Sequence, residues 1–269
     1  MIKLIVSDMD GTLLDDSGKL DEDFFDILDR LLELDIIFAV ASGRQYQQLV
    51  NNFKNHANHI AYIAENGSFV VVDGNELYTS ILDKENLREI VEDIDKLSDI
   101  NAVLCGKNAA YFNTRDETLL REAKKYYYDY KIVRDLGKVN DDIFKISIYD
   151  FKGPENNSYK ALYPKWKDRF QLTISTPRWL DIYNKGTNKG EAVRLLQRKF
   201  RIKEEETMVF GDYYNDVDMF ECAFYSYAMD NAPDDVKEKA RFIAKRNSEN
   251  GVIEVLKERI QDTYKKGVW

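Results

Sequence analysis

Asp8 and Asp10 stand two apart in the run MIKLIVSDMDG, just past a short apolar stretch from Ile2 to Val6. Read as the end of a β-strand, that spacing sends both carboxylates to one side. A second acidic turn, Gly211-Asp212-Tyr213-Tyr214-Asn215-Asp216, follows another apolar run, Thr207 to Phe210. Gathered in one crevice, such carboxylates repel one another unless a cation or a proton lies between them. A few hard oxygen ligands, with room left for water and an anion, suit Mg²⁺ better than a fully caged Ca²⁺. The alternative is that acidic residues merely begin helices, where they favour the macrodipole. It weighs more for Asn215 and Asp216 than for Asp8 and Asp10, whose strand has no evident helix to cap.

Two further turns carry residues suited to holding an anion. Ser42-Gly43-Arg44 follows the apolar run Ile36 to Val40. Gly43 lets the backbone approach a ligand closely, so its amide and the Ser42 hydroxyl would hold an anion at a helix start. Ser42 also sits three residues before Gln45 and fits a capping box, and both readings stay open. At Asn188-Lys189-Gly190-Glu191, the Asn and Glu look like a helix cap and its third-position partner, which puts Lys189 in the first turn, where a cation opposes the dipole. A phosphate held against the Asp cluster would compensate; a solvated surface lysine is the alternative.

The elements that must position these turns alternate in type. Ile2–Val6, Ile36–Val40 and Ile60–Ala64 read as strands, separated by helical segments, the first with Phe24, Ile27, Leu28, Leu31 and Leu32 on one face. That rhythm predicts a parallel sheet with right-handed crossovers, and ligands of such sheets bind beyond the carboxyl ends of the strands. Near residue 80 the rhythm changes. A helix with Leu87, Ile90, Val91, Ile94 and Leu97 on one face precedes strand candidates at 101–105, 109–114, 131–135, 143–149, 170–176 and 179–184, with helices near 116–128 and 156–168. This reads as an α+β insert. Beyond it the first rhythm returns with a helix from Lys189 to Phe200, the strand Thr207–Phe210 and more helix.

Composition narrows the function classes. The 269 residues are 44% hydrophobic with 13 Gly and 4 Pro, a balance that fills packed cores. The net charge is −9, with no clustered basic stripe to neutralise a phosphate backbone, so nucleic acid is not an expected partner. Residues 84–186 carry 19 basic and 17 acidic side chains, making the insert the less acidic part and suiting it to face an anion. Cys105 and Cys222 are too few for a disulfide framework and lack zinc or redox spacing, so core packing in a reducing cytoplasm is expected. No run reaches membrane-spanning or signal-peptide form. Oligomeric state is not readable.

Other residues invite bland readings. Glu65-Asn66-Gly67, between IAYIA and SFVVV, is a strong hairpin signal. His56 and His59 lie in a polar loop and are expected at the surface. Tyr126, Tyr128 and Trp179 would stack on a substrate ring, but aromatics on amphipathic elements more often fill a core.

Read together, Asp8-Met9-Asp10-Gly11-Thr12, Ala41-Ser42-Gly43-Arg44, Lys189-Gly190 and Gly211–Asp216, in this order and with an insert between the second and third, resemble the haloacid dehalogenase-like (HAD) superfamily of phosphatases. The insert's position is similar to the type-two (IIB) cap of the Cof-like subfamily. Met229-Asp230-Asn231-Ala232 and Asn250-Gly251-Val252 extend the likeness toward the C-terminus. The resemblance implies an α/β fold: a Rossmann-like parallel-sheet core of residues 1–81 and 188–269 with an inserted α+β cap of residues 82–187. It implies that Asp8 attacks phosphorus to form an aspartyl-phosphate, and that Asp10 protonates the leaving oxygen and then activates water. Asp8, the backbone carbonyl of Asp10 and Asp212 would ligate Mg²⁺. Ser42, Gly43, Lys189, Asn215 and the Met9 amide would hold the phosphoryl oxygens, and Asp216 would orient Lys189 or the metal shell. Tyr213 stands where relatives usually carry a small residue and would narrow the space beside the metal. The implied activity is hydrolysis of small phosphomonoesters, sugar phosphates or phosphorylated cofactors, with no nucleic-acid or membrane partner. A sugar phosphomutase, a non-catalytic phospho-ligand sensor and a receiver are the alternatives, and the insert and Asp10 count against the last, which needs no acid/base partner.

Overall fold

The computed structural model describes residues 1–124 and 126–265. The first stretch of chain lays down β1 (Leu4–Asp8), a tight turn at Met9–Leu13, α1 (Asp23–Glu33), β2 (Ile37–Ala41), α2 (Tyr46–Phe53), β3 (Ala61–Ala64), β4 (Phe69–Val72) and β5 (Asn75–Thr79). The middle stretch supplies α3 (Lys84–Ile94), β6 (Ile100–Gly106), β7 (Ala110–Phe112), α4 (Glu117–Ala123), β8 (Tyr130–Ile132), β9 (Ile143–Asp150), α5 (Ser158–Trp166), β10 (Phe170–Thr176) and β11 (Trp179–Asn184). The last adds α6 (Lys189–Phe200), β12 (Thr207–Gly211), α7 (Val217–Phe220), β13 (Tyr225–Met229), α8 (Asp234–Lys237), β14 (Phe242–Ala244) and α9 (Gly251–Lys265).

The larger sheet has the order β14-β13-β12-β1-β2-β3-β4-β5. Six neighbouring strands run parallel, and β4 and β5 close one edge as antiparallel ribbons. Apart from the edge strand β14, which exposes Phe242 and Ile243, the parallel strands are buried on both faces, which is why they read as apolar runs and not as alternating patterns. Ile5 faces a cluster with Phe24, Leu28 and Phe53 from α1 and α2 and Val252 and Leu256 from α9. Leu4 and Val6 face Val193 and Leu196 from α6, Met219 from α7 and Val236 from α8.

From β1 the chain crosses to β2 on one side, while β12 lies on the other. The carboxyl end of β1 is thus a topological switch point, where helices diverge to leave a crevice. Strand register aligns the tips: Asp8 pairs with Ala41 of β2, and Ser7 with Phe210 of β12. The turns after β1, β2 and β12 therefore emerge side by side.

The smaller sheet has the order β10-β11-β9-β6-β7-β8, antiparallel except for the β7–β8 pair. Alternation along its strands separates two unlike faces. Leu104, Ile146, Ile148, Leu180 and Ile182 pack on Leu87, Ile90 and Val91 of α3 and Leu162 and Trp166 of α5. The intervening positions carry Cys105, Lys145, Ser147, Trp179 and Asp181, all buried although three are polar or charged. That face is turned toward the larger sheet, to which it is tied at several points. Phe144 stacks on Phe69 at 5.0 Å, and Gln45 Oε1 accepts the amides of Tyr128 and Asp129 at 3.2 and 3.4 Å. Ser80 Oγ accepts from Asn184 and Thr187 at 3.1 and 3.0 Å, fastening the two crossings between the sheets.

Three sequence expectations differ from this outcome. The stretch after Asp216, read as more helix, does hold α7, α8 and α9, but β13 and β14 stand between them, because its aromatic-rich runs pair in parallel with β12 and with each other. The strand β5 was not foreseen; with its pattern of mostly exposed residues it forms a sheet edge. The helix expected over 116–128 ends at Ala123.

Candidate active site

At the tip of β1, Asp8 is 5% exposed. Its Oδ1 accepts from Lys189 Nζ at 2.5 Å, and the same ammonium reaches Asp216 Oδ1 at 2.6 Å. Lys189 is 1% exposed, which excludes the surface-lysine alternative. Asn188 does cap α6, its side chain accepting the Glu191 amide at 2.7 Å, so the cation stands in the first turn of a helix against the dipole. The two carboxylates supply the compensation. Burial disfavours the Lys189 charge, but Asp216 and Asp8 more than offset it and hold the ammonium above its ordinary range.

Asp216 is fixed from both ends: its second oxygen accepts the amides of Asp212 and Tyr213 at 2.9 and 3.1 Å. These bonds shape the turn after β12 and aim Asp212 back toward β1. Thr12 Oγ1 donates to Asp212 Oδ1 at 3.1 Å, and Asn231 Nδ2 donates to the Gly11 carbonyl at 2.8 Å. Gly11 has φ +76°, and a Cβ there would lie 2.3 Å from an Asp212 oxygen; only glycine lets this turn pass the carboxylate.

Oxygens of Asp8, Asp212 and Asp216 lie within 4.8 Å of one another. Three carboxylates around the single ammonium of Lys189 leave two negative charges uncompensated. The protonation preferences record that imbalance. Burial pushes the Asp8 carboxyl well above its ordinary 3.8 against the pull of Lys189, with Asp216 and Asp212 adding to the rise. Burial and then Asp216 push Asp212 up to about 7. With both Asp216 oxygens engaged, Asp8 and Asp212 are the side chains suited to take up a divalent cation, and their hard oxygens fit Mg²⁺.

Asp10 lines the same cleft as Asp8 but stands outside the three-carboxylate cluster. The strand ends at Asp8, and the turn that follows carries the Asp10 carboxylate to Arg44 instead of into the acidic cluster. Arg44 Nε and a terminal nitrogen donate to its two oxygens at 2.7 and 2.6 Å. Ser42 is 2% exposed, and its Oγ accepts the Arg44 amide at 3.1 Å. The capping box does not form: Gln45 lies before the first residue of α2 and spends its side chain on the Tyr128 and Asp129 amides. A Cβ on Gly43 would lie 3.1 Å from the Asn66 amide oxygen, so the glycine brings these two turns into close approach.

Asp8, Asp10, Ser42, Gly43, Asp212 and Asn215 line one cleft of about 340 Å³ together with Arg44 and Asn66. The smaller sheet roofs it with Lys145, Ser147, Trp179 and Asp181. Met9 is fully buried in the apolar cluster beneath, so of its groups only the backbone is suited to a ligand. Tyr213 lines the cleft and also packs edge-on to Tyr214 at 4.9 Å.

Several members of this site escaped the sequence reading. Glu65-Asn66-Gly67 does connect antiparallel strands, but it is no ordinary surface hairpin: all three residues are buried, and Asn66 Oδ1 accepts from Asn215 at 3.2 Å. Glu65 Oε2 pairs with Lys145 Nζ at 3.0 Å. Ser147 donates to Asp181 Oδ1 at 2.6 Å. The available signal was alternation, since Lys145 and Ser147 in β9 and Asp181 in β11 occupy every second position of otherwise apolar strands. Both cysteines are buried, and burial pushes each thiol up to about 12, in keeping with packing roles. Of the cap aromatics, Tyr126 and Trp179 line the cleft edge-to-face at 6.1 Å, whereas Tyr128 is exposed. His56 is half-buried, stacked on Phe25 and bonded to Asp29, while His59 is exposed.

A family model described as haloacid dehalogenase-like hydrolase matches residues 5–256. The chain is 34% identical over 259 residues to the 5-amino-6-(5-phospho-D-ribitylamino)uracil phosphatase YbjI of Escherichia coli, a match covering 95% of both chains. Its fold is similar to that of SMU.1108c from Streptococcus mutans, with a TM-score of 0.91 at 30% identity over 97% of this chain and 100% of that one. The sugar phosphatase BT4131, described as HAD subclass IIB, shares the fold at 22% identity and a TM-score of 0.82 over 96% and 98% of the two chains. No helix among the described residues is long and apolar enough to cross a membrane. The switch-point crevice, its acidic turns and these likenesses agree: the chain belongs to the haloacid dehalogenase-like hydrolases and is a phosphatase of that family.

Proposed function

We propose that this protein is a Mg²⁺-dependent phosphomonoesterase that works through an aspartyl-phosphate on Asp8, with residues 1–81 and 188–269 forming the catalytic core and residues 82–187 a cap that sets substrate choice. The observation that carries the reading is the meeting of Asp8, Asp212 and Asp216 around Lys189 at the end of β1, with two negative charges left over for a divalent cation. Bound there by Asp8, Asp212 and the Asp10 carbonyl, Mg²⁺ would supply charge neutralisation for the phosphoryl oxygens.

The residues divide the work as phosphoryl transfer demands, chiefly positioning and electrostatics. Lys189 takes one Asp8 oxygen and leaves the other for phosphorus. Attack forms the Asp8 O–P bond and breaks the ester P–O bond, and the leaving oxygen takes its proton from the Asp10 carboxyl. Water then attacks phosphorus, gives a proton to Asp10, and breaks the Asp8 O–P bond to release phosphate and restore both carboxyl groups. Ser42, the Gly43 and Met9 amides, Lys189 and Asn215 hold the phosphoryl oxygens, while Asp216 keeps Lys189 in place. Arg44 stations Asp10 at the cleft until substrate arrives. A carboxylate nucleophile divides one difficult displacement into two easier ones.

For the substrate, the likeness to YbjI and a roof that mixes polar side chains with Tyr126 and Trp179 support a phosphorylated polyol carrying a flat ring, with 5-amino-6-(5-phospho-D-ribitylamino)uracil as the leading candidate. The test is phosphate release from a panel of phosphorylated metabolites containing that compound, run in Mg²⁺ with and without chelator. Acid-quenched enzyme from labelled substrate should carry phosphate on Asp8. No release from any panel member by folded, Mg²⁺-supplied protein would overturn the reading.

A further inference from the structure

A buried ammonium in the smaller sheet reaches the phosphate-binding turn of the larger one. Lys145 of β9 is 3% exposed, and its Nζ donates to the Gly43 carbonyl at 2.7 Å. It pairs with Glu65 Oε2 at 3.0 Å and lies 3.7 Å from Asp181 Oδ2. Enclosing an ammonium this fully is costly unless its partners are well placed, and here two carboxylates and a carbonyl from three separate elements converge on it. Tying the two sheets together does not require this arrangement. The Phe144–Phe69 stack, the Gln45 bonds and the Ser80 bonds already do so without touching a functional group of the site.

The peptide that Lys145 grips is the informative part. The Gly43 carbonyl and the Arg44 amide belong to one planar unit. Lys145 holds its oxygen end, while the amide end donates to Ser42 Oγ at 3.1 Å. With both ends fixed, the plane cannot swing. Ser42 Oγ, already accepting from the amide, is left with its own proton to give to a phosphoryl oxygen. Arg44 is launched from the same peptide toward Asp10, which it clamps with two bonds. One cap side chain thus sets the pose of the residues proposed to bind phosphate and to station the acid.

We propose that Lys145 is a positioning residue for the hydrolysis: seating of the cap drives its ammonium onto the Gly43 carbonyl and the Glu65 carboxylate, and only then are the Ser42 hydroxyl and the Arg44 side chain set, the latter holding Asp10 at the cleft until substrate arrives. This inference rests on the phosphatase reading above. It assigns the buried Glu65 the part of counter-charge that receives the cap lysine.

The experiment compares wild type, Lys145→Met and Lys145→Arg on two esters, p-nitrophenyl phosphate and the best ester of the metabolite panel, with thermal melting as the check on folding. Because Lys145 acts through the phosphate-binding turn, Lys145→Met should lower kcat on both esters alike, by about 10- to 100-fold, the scale of a misplacement of about 1 Å in a catalytic site. KM should move less than kcat, and Lys145→Arg should recover part of the loss. A loss confined to the larger ester would overturn the proposal in favour of a lysine that reads the leaving group. A kcat within threefold of wild type, with only the melting temperature lowered, would reduce Lys145 to a structural tie. Should Lys145→Met not fold, Glu65→Gln takes away the counter-charge while leaving the Gly43 bond. It should lower kcat on both esters by a smaller factor, and unchanged kcat would again overturn the proposal. Wild type inactive on every ester would instead remove the phosphatase reading, and this inference with it.

Discussion

Replacing Lys189 with methionine keeps most of the side chain's volume and deletes its charge, and the structure sets the size of two separate consequences. The ammonium is 1% exposed and bridges Asp8 at 2.5 Å and Asp216 at 2.6 Å. Taking one partner out of a buried ionic network leaves the others unpaired, at a cost of about 3–5 kcal/mol. Without metal, Lys189→Met should therefore be destabilised by that amount in urea, and Asp8 and Asp212, both held down by Lys189, should take up protons more readily. Mg²⁺ should restore part of the stability, since it answers the same excess of negative charge. Catalysis should lose the proposed positive contact of Lys189 to the phosphoryl group, worth about 2–4 kcal/mol of transition-state stabilisation. That corresponds to a kcat/KM lower by about 30- to 900-fold. The assay is initial-rate phosphate release at saturating Mg²⁺, run beside urea melts with and without the ion. A variant with wild-type kcat/KM, or one whose stability ignores Mg²⁺, would refute the argument that Lys189 and a divalent cation share the neutralisation of these carboxylates.

Four further outcomes follow from the same geometry. Asp8→Asn should abolish turnover while circular dichroism and melting stay near wild type, because it removes the proposed nucleophile and one charge of an over-acidic cluster; residual turnover above background would contradict that proposal. Chelation should end phosphate release and added Mg²⁺ should restore it, as read in a single cuvette. Gly11→Ala forces a Cβ to within 2.3 Å of Asp212 at φ +76°, so the Mg²⁺ concentration giving half-maximal activity should rise, and an unshifted Mg²⁺ curve would count against the placement of Asp212. In the smaller sheet's helical layer, burial raises the Asp93 carboxyl, but hydrogen bonds from Lys165, Lys96 and the Trp166 indole outweigh it and hold the group at about 2. A group depressed below its ordinary 3.8 stabilises the fold fully above that value and loses its contribution as pH falls from there toward about 2. After solvent screening the contribution is about 1 kcal/mol. The melting-temperature gap between wild type and Asp93→Asn should thus be constant near neutrality and shrink in acid, and a gap that persists to about pH 2 would disprove the link.

The core of the site was readable because strand order converts spacing into proximity. Asp8, Ser42 and Asp212 each follow an apolar run, and parallel strands buried on both faces announce themselves as such runs. Once β2 and β12 flank β1, the turns must meet. Asp10 lines the same cleft as Asp8 but stands outside the three-carboxylate cluster for a local reason. The i, i+2 argument holds only while the backbone stays extended, and the chain leaves β1 at Asp8 for a turn that needs glycine at position 11. The short strands β13 and β14 were missed because runs of five and three residues between turn signals carry too little periodicity to register, and their status depends on neighbours far away in the chain.

The cap-facing half of the site was hidden by a different effect, and Glu65 illustrates it. In the sequence, Asn-Gly between two apolar runs satisfies hairpin chemistry completely, so nothing is left over to explain. The hairpin is real, yet Glu65 is 1% exposed and faces an ammonium that lies 80 residues further along the chain. A carboxylate in that position is tolerable only because Lys145 arrives from the smaller sheet, and Lys145 is tolerable in β9 only because Glu65, Asp181 and the Gly43 carbonyl await it. Neither half has a local rationale, and no window on the sequence contains both. Each nevertheless leaves a trace, a polar residue where its own element calls for an apolar one or for solvent. Charged positions at alternate places in an apolar strand of an inserted unit are therefore the residues to examine for partners across the cleft, since burial without a counter-charge would cost more than the strand could tolerate.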